Sequence, residues 1–371
     1  MLPAVPRQPE LTPISKSRTL QAKSTPTVPA SVVDLFCGAG GLSYGFKLES
    51  FRLAAGIDIE EACRYPYETN NEAPFLRKDI AKIAAREIEG LFIPGCKRIL
   101  VGCAPCQPFS TYNQKNADPK WQLLQHFGEL IEKIRPDIVS MENVPRLIKF
   151  RQGSVFKSFV ETLRCAGYHV VWRVLFGPDF GLAQTRSRLV LLASRLGEIS
   201  IPEPTHLGRH RTVKHEIGRL RPLEHGAVDP RDPLHCASKL SGINLRRISA
   251  AKPGGTWRDW DENLVAECHR AETGRGYSSV YGRMSWGSPS PTITTQFFGF
   301  GNGRFGHPEQ DRALSLREGA MLQGFPRGYE FVPPGHRVEF KIVGRLIGNA
   351  VPVKLASAIA RTVRAHIESA K

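Results

Sequence analysis

The run Ser31-Val32-Val33-Asp34-Leu35-Phe36 passes straight into Cys37-Gly38-Ala39-Gly40-Gly41 and then a helix-compatible stretch from Leu42. A short β-prone run that breaks in glycines and restarts as a helix is the opening of a strand–turn–helix unit. The pattern recurs: residues 51–57, 97–102 and 138–141 read as strands, and residues 123–134 as a helix among them. Strands alternating with helices predict an α/β protein with a doubly wound, mostly parallel sheet.

At 371 residues the chain exceeds what one hydrophobic core usually spans, so two lobes are expected. Residues 31–195 read as a larger, Rossmann-like lobe, completed by residues 340–371 with a helix over 352–368. Residues 196–339 read as a smaller, irregular lobe. Between 195 and 260 the segments are short and punctuated by Pro and Gly, with twelve Lys or Arg against seven acids and five histidines. Residues 1–30 hold six prolines, four basic residues and one acid without apolar periodicity, which reads as a disordered basic tail.

Composition narrows the partners. Lys and Arg number 51 against 35 acids, a formal charge of +16, which suits a polyanion such as nucleic acid and equally a solvated basic face. Eight cysteines spread over the chain do not resemble the framework of a short secreted domain, so a reducing cytoplasm is expected. The first thirty residues lack the apolar stretch of a signal peptide, and no window reads as a membrane span.

The glycine turn lets a ligand approach the backbone and aims amides at an anionic group. Asp58, closing the second strand about twenty residues on, stands where a ribose-binding carboxylate sits in dinucleotide folds. The pair does not distinguish a nicotinamide cofactor from S-adenosylmethionine. The segment Gly102-Cys103-Ala104-Pro105-Cys106-Gln107-Pro108-Phe109-Ser110 follows a strand and offers a loop thiol. A redox pair, half a zinc site, a structural cysteine and a nucleophile are the candidate readings. The absence of a second Cys-x-x-Cys weakens zinc, and Pro105 and Pro108 weaken a helix-opening redox motif, leaving the nucleophile in front.

Five segments in order carry a resemblance: Asp34-Leu-Phe36-Cys-Gly38-Ala-Gly40-Gly, Pro105-Cys106-Gln107, Glu142-Asn143-Val144, Gln184-Thr-Arg186-Ser-Arg188 and Gly348-Asn349-Ala350-Val351-Pro352. Together they resemble the ordered motif set of the DNA cytosine-5 methyltransferases of prokaryotic restriction-modification type, from residue 31 to the end. The resemblance implies S-adenosylmethionine as methyl donor and no metal. It puts Phe36, Gly38 and Gly40 against the cofactor, Asp58 on the ribose hydroxyls, Asp79 on the adenine amino group with Ile80 beside it, and Asn349 closing the site. Many relatives carry a tryptophan after the ribose acid; this chain has Ile59.

The chemistry accords with that resemblance. Carbon 5 of cytosine is too poor a nucleophile to attack a sulfonium methyl unless a thiolate, here Cys106, first adds to carbon 6. Addition loads negative charge near N3, where Glu142 could deliver a proton. Arg186 and Arg188 would hold the base and Glu142. A cytosine inside a duplex must be swung out to be reached. Residues 196–282 occupy the place of the family's target recognition region, with Arg209, Arg211, Arg246, Arg247 and Arg258, and also Gln107 and Ser110, as candidate DNA contacts. Trp257 and Trp260 read as core. A monomer on double-stranded DNA, with a separate cognate endonuclease, completes the expectation. The rivals are a transfer RNA methyltransferase of the same chemistry and a DNA-binding regulator that has lost catalysis.

Overall fold

The structure is a computed structural model and describes residues 28–105, 119–272 and 274–370. Its centre is a seven-stranded sheet, in the order β3-β2-β1-β4-β5-β7-β6. The strands are β1 (Ala30–Leu35), β2 (Arg52–Asp58), β3 (Phe75–Arg77), β4 (Lys97–Gly102), β5 (Ile138–Asn143), β6 (His169–Phe176) and β7 (Ser187–Ser194). β1 to β5 pair in parallel, while β7 runs antiparallel to both β5 and β6. A further antiparallel pair, β8 (Val228–Asp229) and β9 (Asp232–Cys236), lies outside the sheet. The expected α/β sheet is observed, and the expected strand at 97–102 has those bounds. The first strand stops at Leu35, one residue short of the expected run, because Phe36 turns to φ 60°.

The helices are α1 (Gly41–Leu48), α2 (Arg64–Asn71), α3 (Ala85–Glu89), α4 (Gln122–Ile134), α5 (Ser154–Cys165), α6 (Val213–Ile217), α7 (Gly242–Ala250), α8 (Glu267–Arg270), α9 (Leu316–Leu322), α10 (Phe340–Asn349) and α11 (Val353–Ser369). α4 shows why the pattern was readable. Leu124, Phe127, Ile131 and Ile134 recur at helical spacing and are all buried. The helix stops where Arg135 turns left-handed at φ 50° before Pro136.

α11 buries Leu355, Ala356, Ile359, Ala360, Val363 and Ile367 in one cluster with Val32, Leu42, Phe46, Ile99 and Val101 of β1, α1 and β4. Each fully buried Leu, Ile or Val contributes about 1.5–3 kcal/mol. Gly45 of α1 lies against Ala356, leaving no room for a side chain, so the two helices cross at close range. α10 packs instead with Phe297, Leu314 and Phe331, in a cluster that also takes in Ala39, Tyr67 and Phe75 under the cofactor-side turns. The stretch Phe340–Ser369 holds a window long and apolar enough by length and composition to cross a membrane, contrary to the expectation that none is, yet 72% of that window is buried inside the protein.

Beyond the sheet, Ile248, Leu264, Phe300 and Ala313 form a separate cluster with Trp257 and Trp260, 9% and 8% exposed, so both tryptophans are core as expected. Two buried arginines fasten the irregular chain. Arg283 donates to the carbonyls of His307 at 3.1 Å and Gln310 at 3.0 Å. Arg312 grips Glu318 with two bonds of 2.7 Å, both residues essentially unexposed. Burial acts to raise the Glu318 carboxyl, but Arg312 overrides it and holds the group at about 2.

Candidate active site

The glycine turn is held by the side chain of Asp58. Oδ2 of Asp58 accepts the Gly38 amide at 3.0 Å and Oδ1 accepts that of Glu60 at 3.0 Å. Burial raises the Asp58 carboxyl, an effect these amide bonds counter. Gly38 and Gly40 have φ 53° and 87°, a region that strains any other residue. At Gly38 a side chain would meet nothing within 4 Å, so the turn opens onto free space. Phe36 borders it, with its ring edge-on to Phe127 at 6.4 Å.

Beneath the turn lies Asp34, 1% exposed. Its Oδ2 accepts the Ser43 hydroxyl at 2.7 Å, while Oδ1 is buried without a hydrogen bond. Burial drives this carboxyl up to about 7, the Ser43 bond opposing and the Asp58 charge adding. Burial likewise pushes the Cys37 thiol well above its usual range. On the rim, Ile59 is 62% exposed, a large apolar side chain left in water beside Asp58. Open space over the glycines, a carboxylate at the strand end and a bare apolar side chain beside it fit an adenosyl ligand.

The other expected cofactor residues divide. Asp79 is partly exposed, and its Oδ1 accepts the Ala81 amide at 3.0 Å in the turn after β3. Ile80, expected beside it on the ligand, turns its side chain into the core, at 4% exposure in the cluster under β1 and β4. Asn349 ends α10 and is exposed. The residues after it close on the glycine turn, for a side chain at Gly41 would stand 2.5 Å from the Val351 carbonyl oxygen.

The second half of the site grows from the parallel pairing of β4 and β5, in which Gly102 faces Met141. The residues that follow, Cys103 and Glu142, meet at the carboxyl edge of the sheet: the Cys103 thiol donates to Oε2 of Glu142 at 3.0 Å. Glu142 is 2% exposed. Nε of Arg188 on β7 stands 2.9 Å from its Oε1. That Oε1 makes no aligned hydrogen bond, so the pair is held by charge at short range. Next along β5, the Asn143 amide donates to the Ala104 carbonyl at 3.1 Å. Cys106, Gln107 and Ser110 lie outside the described residues.

Arg186 and Arg188, expected together on Glu142 and the base, take different directions. Arg186 donates to the carbonyls of Ile293 at 3.0 Å and Gly348 at 3.2 Å. It directly precedes β7, its own carbonyl accepting the Gly177 amide at 2.8 Å one step beyond the Phe176–Ser187 pair. Two glutamines missed in the sequence extend this tie. Gln184 donates to Oε1 of Gln323 at 2.8 Å and accepts the Ile293 amide at 2.9 Å, and Gln323 donates to the Ala350 carbonyl at 2.6 Å. Gln184 begins the Gln184-Thr-Arg186-Ser-Arg188 segment, whereas Gln323 has no local signal.

The candidate DNA contacts also sort by geometry. Arg211 pairs with Glu216 at 2.6 Å, and Arg247 donates to the Leu264 carbonyl at 2.8 Å while lying over Tyr281. Arg258 lies over Trp257 and donates to the Arg275 carbonyl at 2.9 Å. Arg209 and Arg246 are exposed, the latter on α7.

Comparison with known proteins agrees with this arrangement. The chain is 52% identical over 340 residues, 91% of its length and 96% of the relative's, to the Type II methylase M.HgiDII of Herpetosiphon aurantiacus. It is 32% identical to the Type II methyltransferase M1.HphI of Haemophilus parahaemolyticus, over 89% of this chain and 86% of that one. The crystal structure of an E. coli prophage-encoded DNA modification methyltransferase superposes with a TM-score of 0.71 at 20% identity, covering 91% of this chain and 99% of that one, a likeness of fold. The family model for C-5 cytosine-specific DNA methylases matches residues 30–365, nearly the whole of the described sheet and site. By that match and by its relatives, the chain belongs to the C-5 cytosine-specific DNA methylases, which use S-adenosylmethionine.

Proposed function

We propose that the chain methylates carbon 5 of a cytosine swung out of duplex DNA, through a covalent adduct with Cys106, and that Glu142 and Arg188 control the proton on N3. The observation that carries this reading is the buried Glu142 carboxyl held beside Arg188 at the sheet edge, next to the segment that runs on to Cys106. A carboxyl in water would gain little by being placed there. One kept at 2% exposure against a fixed guanidinium is a group positioned to exchange a proton with a ligand.

The steps follow from that placement. The Cys106 thiolate forms a bond to carbon 6, and the displaced ring electrons are met at N3 by a proton from Glu142. Arg188 stabilises the carboxylate that remains. Gly38, Gly40, Asp58, Ile59 and Asp79 would hold S-adenosylmethionine, which when bound would supply an electrophilic methyl. Carbon 5 takes the methyl, a base removes the carbon 5 proton, the N3 proton returns to Glu142 and the thiolate leaves as the ring double bond reforms. Asn349 caps the ligand from α10, whose end is tied down through Arg186 and Gln323.

In this reading residues 31–195 with 340–371 form the catalytic unit and 196–339 the smaller lobe, with target recognition in 196–282. The shared cluster of α11 with β1 and β4 supports that division. The relatives named as Type II methylases support a restriction-modification role; in this reading the chain protects a specific site against a separate cognate endonuclease, as a monomer acting in the cytoplasm. The test offers the pure protein labelled S-adenosylmethionine with duplex DNA and transfer RNA in parallel and identifies the modified base after digestion. Label in 5-methylcytosine from DNA is the expected outcome. Label in RNA alone would replace the DNA reading, and binding of S-adenosylmethionine with no transfer to either would leave a silent DNA-binding module.

A further inference from the structure

We infer that Cys103 is a positioning residue for the methyl-transfer reaction: its thiol fixes the rotation of the Glu142 carboxyl, and so fixes which lone pair faces the base. This rests on the reading of Glu142 as the N3 acid. A carboxyl at the end of a Glu side chain turns easily, because its terminal torsion has no sharp staggered wells. A single neighbour does not stop that rotation, and Arg188 makes one short charge contact to Oε1 without an aligned hydrogen bond. The second point of attachment is Cys103, whose thiol donates to Oε2 at 3.0 Å. With Glu142 2% exposed, bulk water does not compete for that oxygen.

The contact is built in by the sheet. Gly102 is paired with Met141 in the parallel ladder, so the next residue of each strand arrives at the same edge. The Cys103 amide reaches back to the Leu35 carbonyl at 3.4 Å, and the Asn143 amide holds the Ala104 carbonyl at 3.1 Å. Two successive residues of the segment leading to Cys106 are thus fastened to two successive residues of β5, and one of the two fastenings is to the acid itself. A thiol suits the position because it is a weak donor. It orients the carboxylate without binding so tightly that protonation and deprotonation at each turnover are opposed. In the same strand-end motif this cysteine read only as the first half of a Cys-x-x-Cys pair.

The experiment compares wild type with Cys103→Ala, Cys103→Ser and Glu142→Gln for kcat, KM for DNA and for S-adenosylmethionine, and thermal midpoint. A fourth readout is the rate at which each protein forms a covalent complex on duplex DNA carrying 5-fluorocytosine, where fluorine replaces the proton that must be removed and the adduct accumulates. Loss of one modest hydrogen bond should lower kcat and the trapping rate of Cys103→Ala by roughly three- to tenfold. Both KM values and the thermal midpoint should stay near wild type, and Cys103→Ser, which keeps a donor, should recover most of the rate. Wild-type rates for Cys103→Ala alongside an inactive Glu142→Gln would overturn the role of Cys103 and leave that of Glu142 standing. A slow, destabilised Cys103→Ala that serine does not rescue would also overturn it, in favour of a packing role. An active Glu142→Gln would remove the reading of the acid on which the inference stands.

Discussion

Nε of Arg188 stands 2.9 Å from Oε1 of Glu142, with the two side chains 12% and 2% exposed. A charge pair this deeply buried differs from a surface salt bridge: breaking one side leaves the other charge stranded, at about 3–5 kcal/mol. Arg188→Ala should therefore lower the thermal midpoint by several degrees and lower kcat by roughly 10²- to 10³-fold, the effect of removing one preorganised electrostatic partner. Arg188→Lys keeps the charge but not the guanidinium fork and should fall between. Steady-state kinetics with melting curves decide it; an Arg188→Ala protein at wild-type kcat would dissociate the pair from catalysis.

Two glycines separated by one residue, but opposite in surroundings, separate folding from ligand binding. Gly38 (φ 53°) has nothing within 4 Å of where a side chain would begin, whereas at Gly40 (φ 87°) a side chain would run into the Asn71 amide and stand 3.1 Å from the Tyr329 hydroxyl. Gly38→Ala should fold with about 1 kcal/mol of backbone strain and lose S-adenosylmethionine affinity tenfold or more, because the methyl occupies the ligand's approach. Gly40→Ala should lose about 1–3 kcal/mol of stability outright. Calorimetric binding and thermal melts on both proteins check this, and equal losses of stability would show that the open space at Gly38 has no functional meaning.

The parts legible in the sequence were those with local signals. The glycine turn, the strand leading to Cys103 and the helix packed through Leu124, Phe127 and Ile131 are each written within a dozen consecutive residues. Glu142 and Arg188 were also named, but their meeting depends on β7 lying antiparallel beside β5, where Glu142 faces Val190, and that reversal has no local signature. Arg186 stands in the same motif, and its bonds to the carbonyls of Ile293 and Gly348 span 107 and 162 residues of chain, which no local pattern reports. Gln323 reaches Gln184 across 139 residues of chain, and Cys103 reaches Glu142 across 39, so no periodicity reports either. Ile80 shared a tripeptide with Asp79, and only packing shows that its side chain turns into the core.

Arginines already committed within the protein and arginines free to reach DNA should differ in the salt dependence of binding. Arg258 is engaged by Trp257 and the Arg275 carbonyl, while Arg209 and Arg246 are exposed. Each phosphate contact contributes about one unit to the slope of log K against log salt. Arg209→Ala and Arg246→Ala should each weaken duplex binding and flatten that slope by up to about 1, whereas Arg258→Ala should chiefly lower thermal stability. An unchanged slope in the first two would take them off the DNA-binding face.

Asp34 ties stability to pH with a sign opposite to that of an ordinary salt-bridged acid. Burial raises its carboxyl from 3.8 to about 7, and the groups around it, Ser43, Asp58, Cys37 and Tyr67, include no cation to offset that. An acid whose pKa is higher in the folded state binds more protons there than in the unfolded chain, so its contribution is fully present below 3.8 and is lost as pH rises through about 7. The loss is at most about 4 kcal/mol, from roughly three pH units at 1.36 kcal/mol each. Asp34→Asn keeps an oxygen for the Ser43 hydroxyl and carries no charge at any pH. Relative to wild type it should therefore be little changed near pH 4 and progressively more stable from pH 5 to 8. Urea denaturation of both proteins across that range measures the difference directly. A difference that stays flat with pH would mean that Asp34 does not hold its proton in the folded protein.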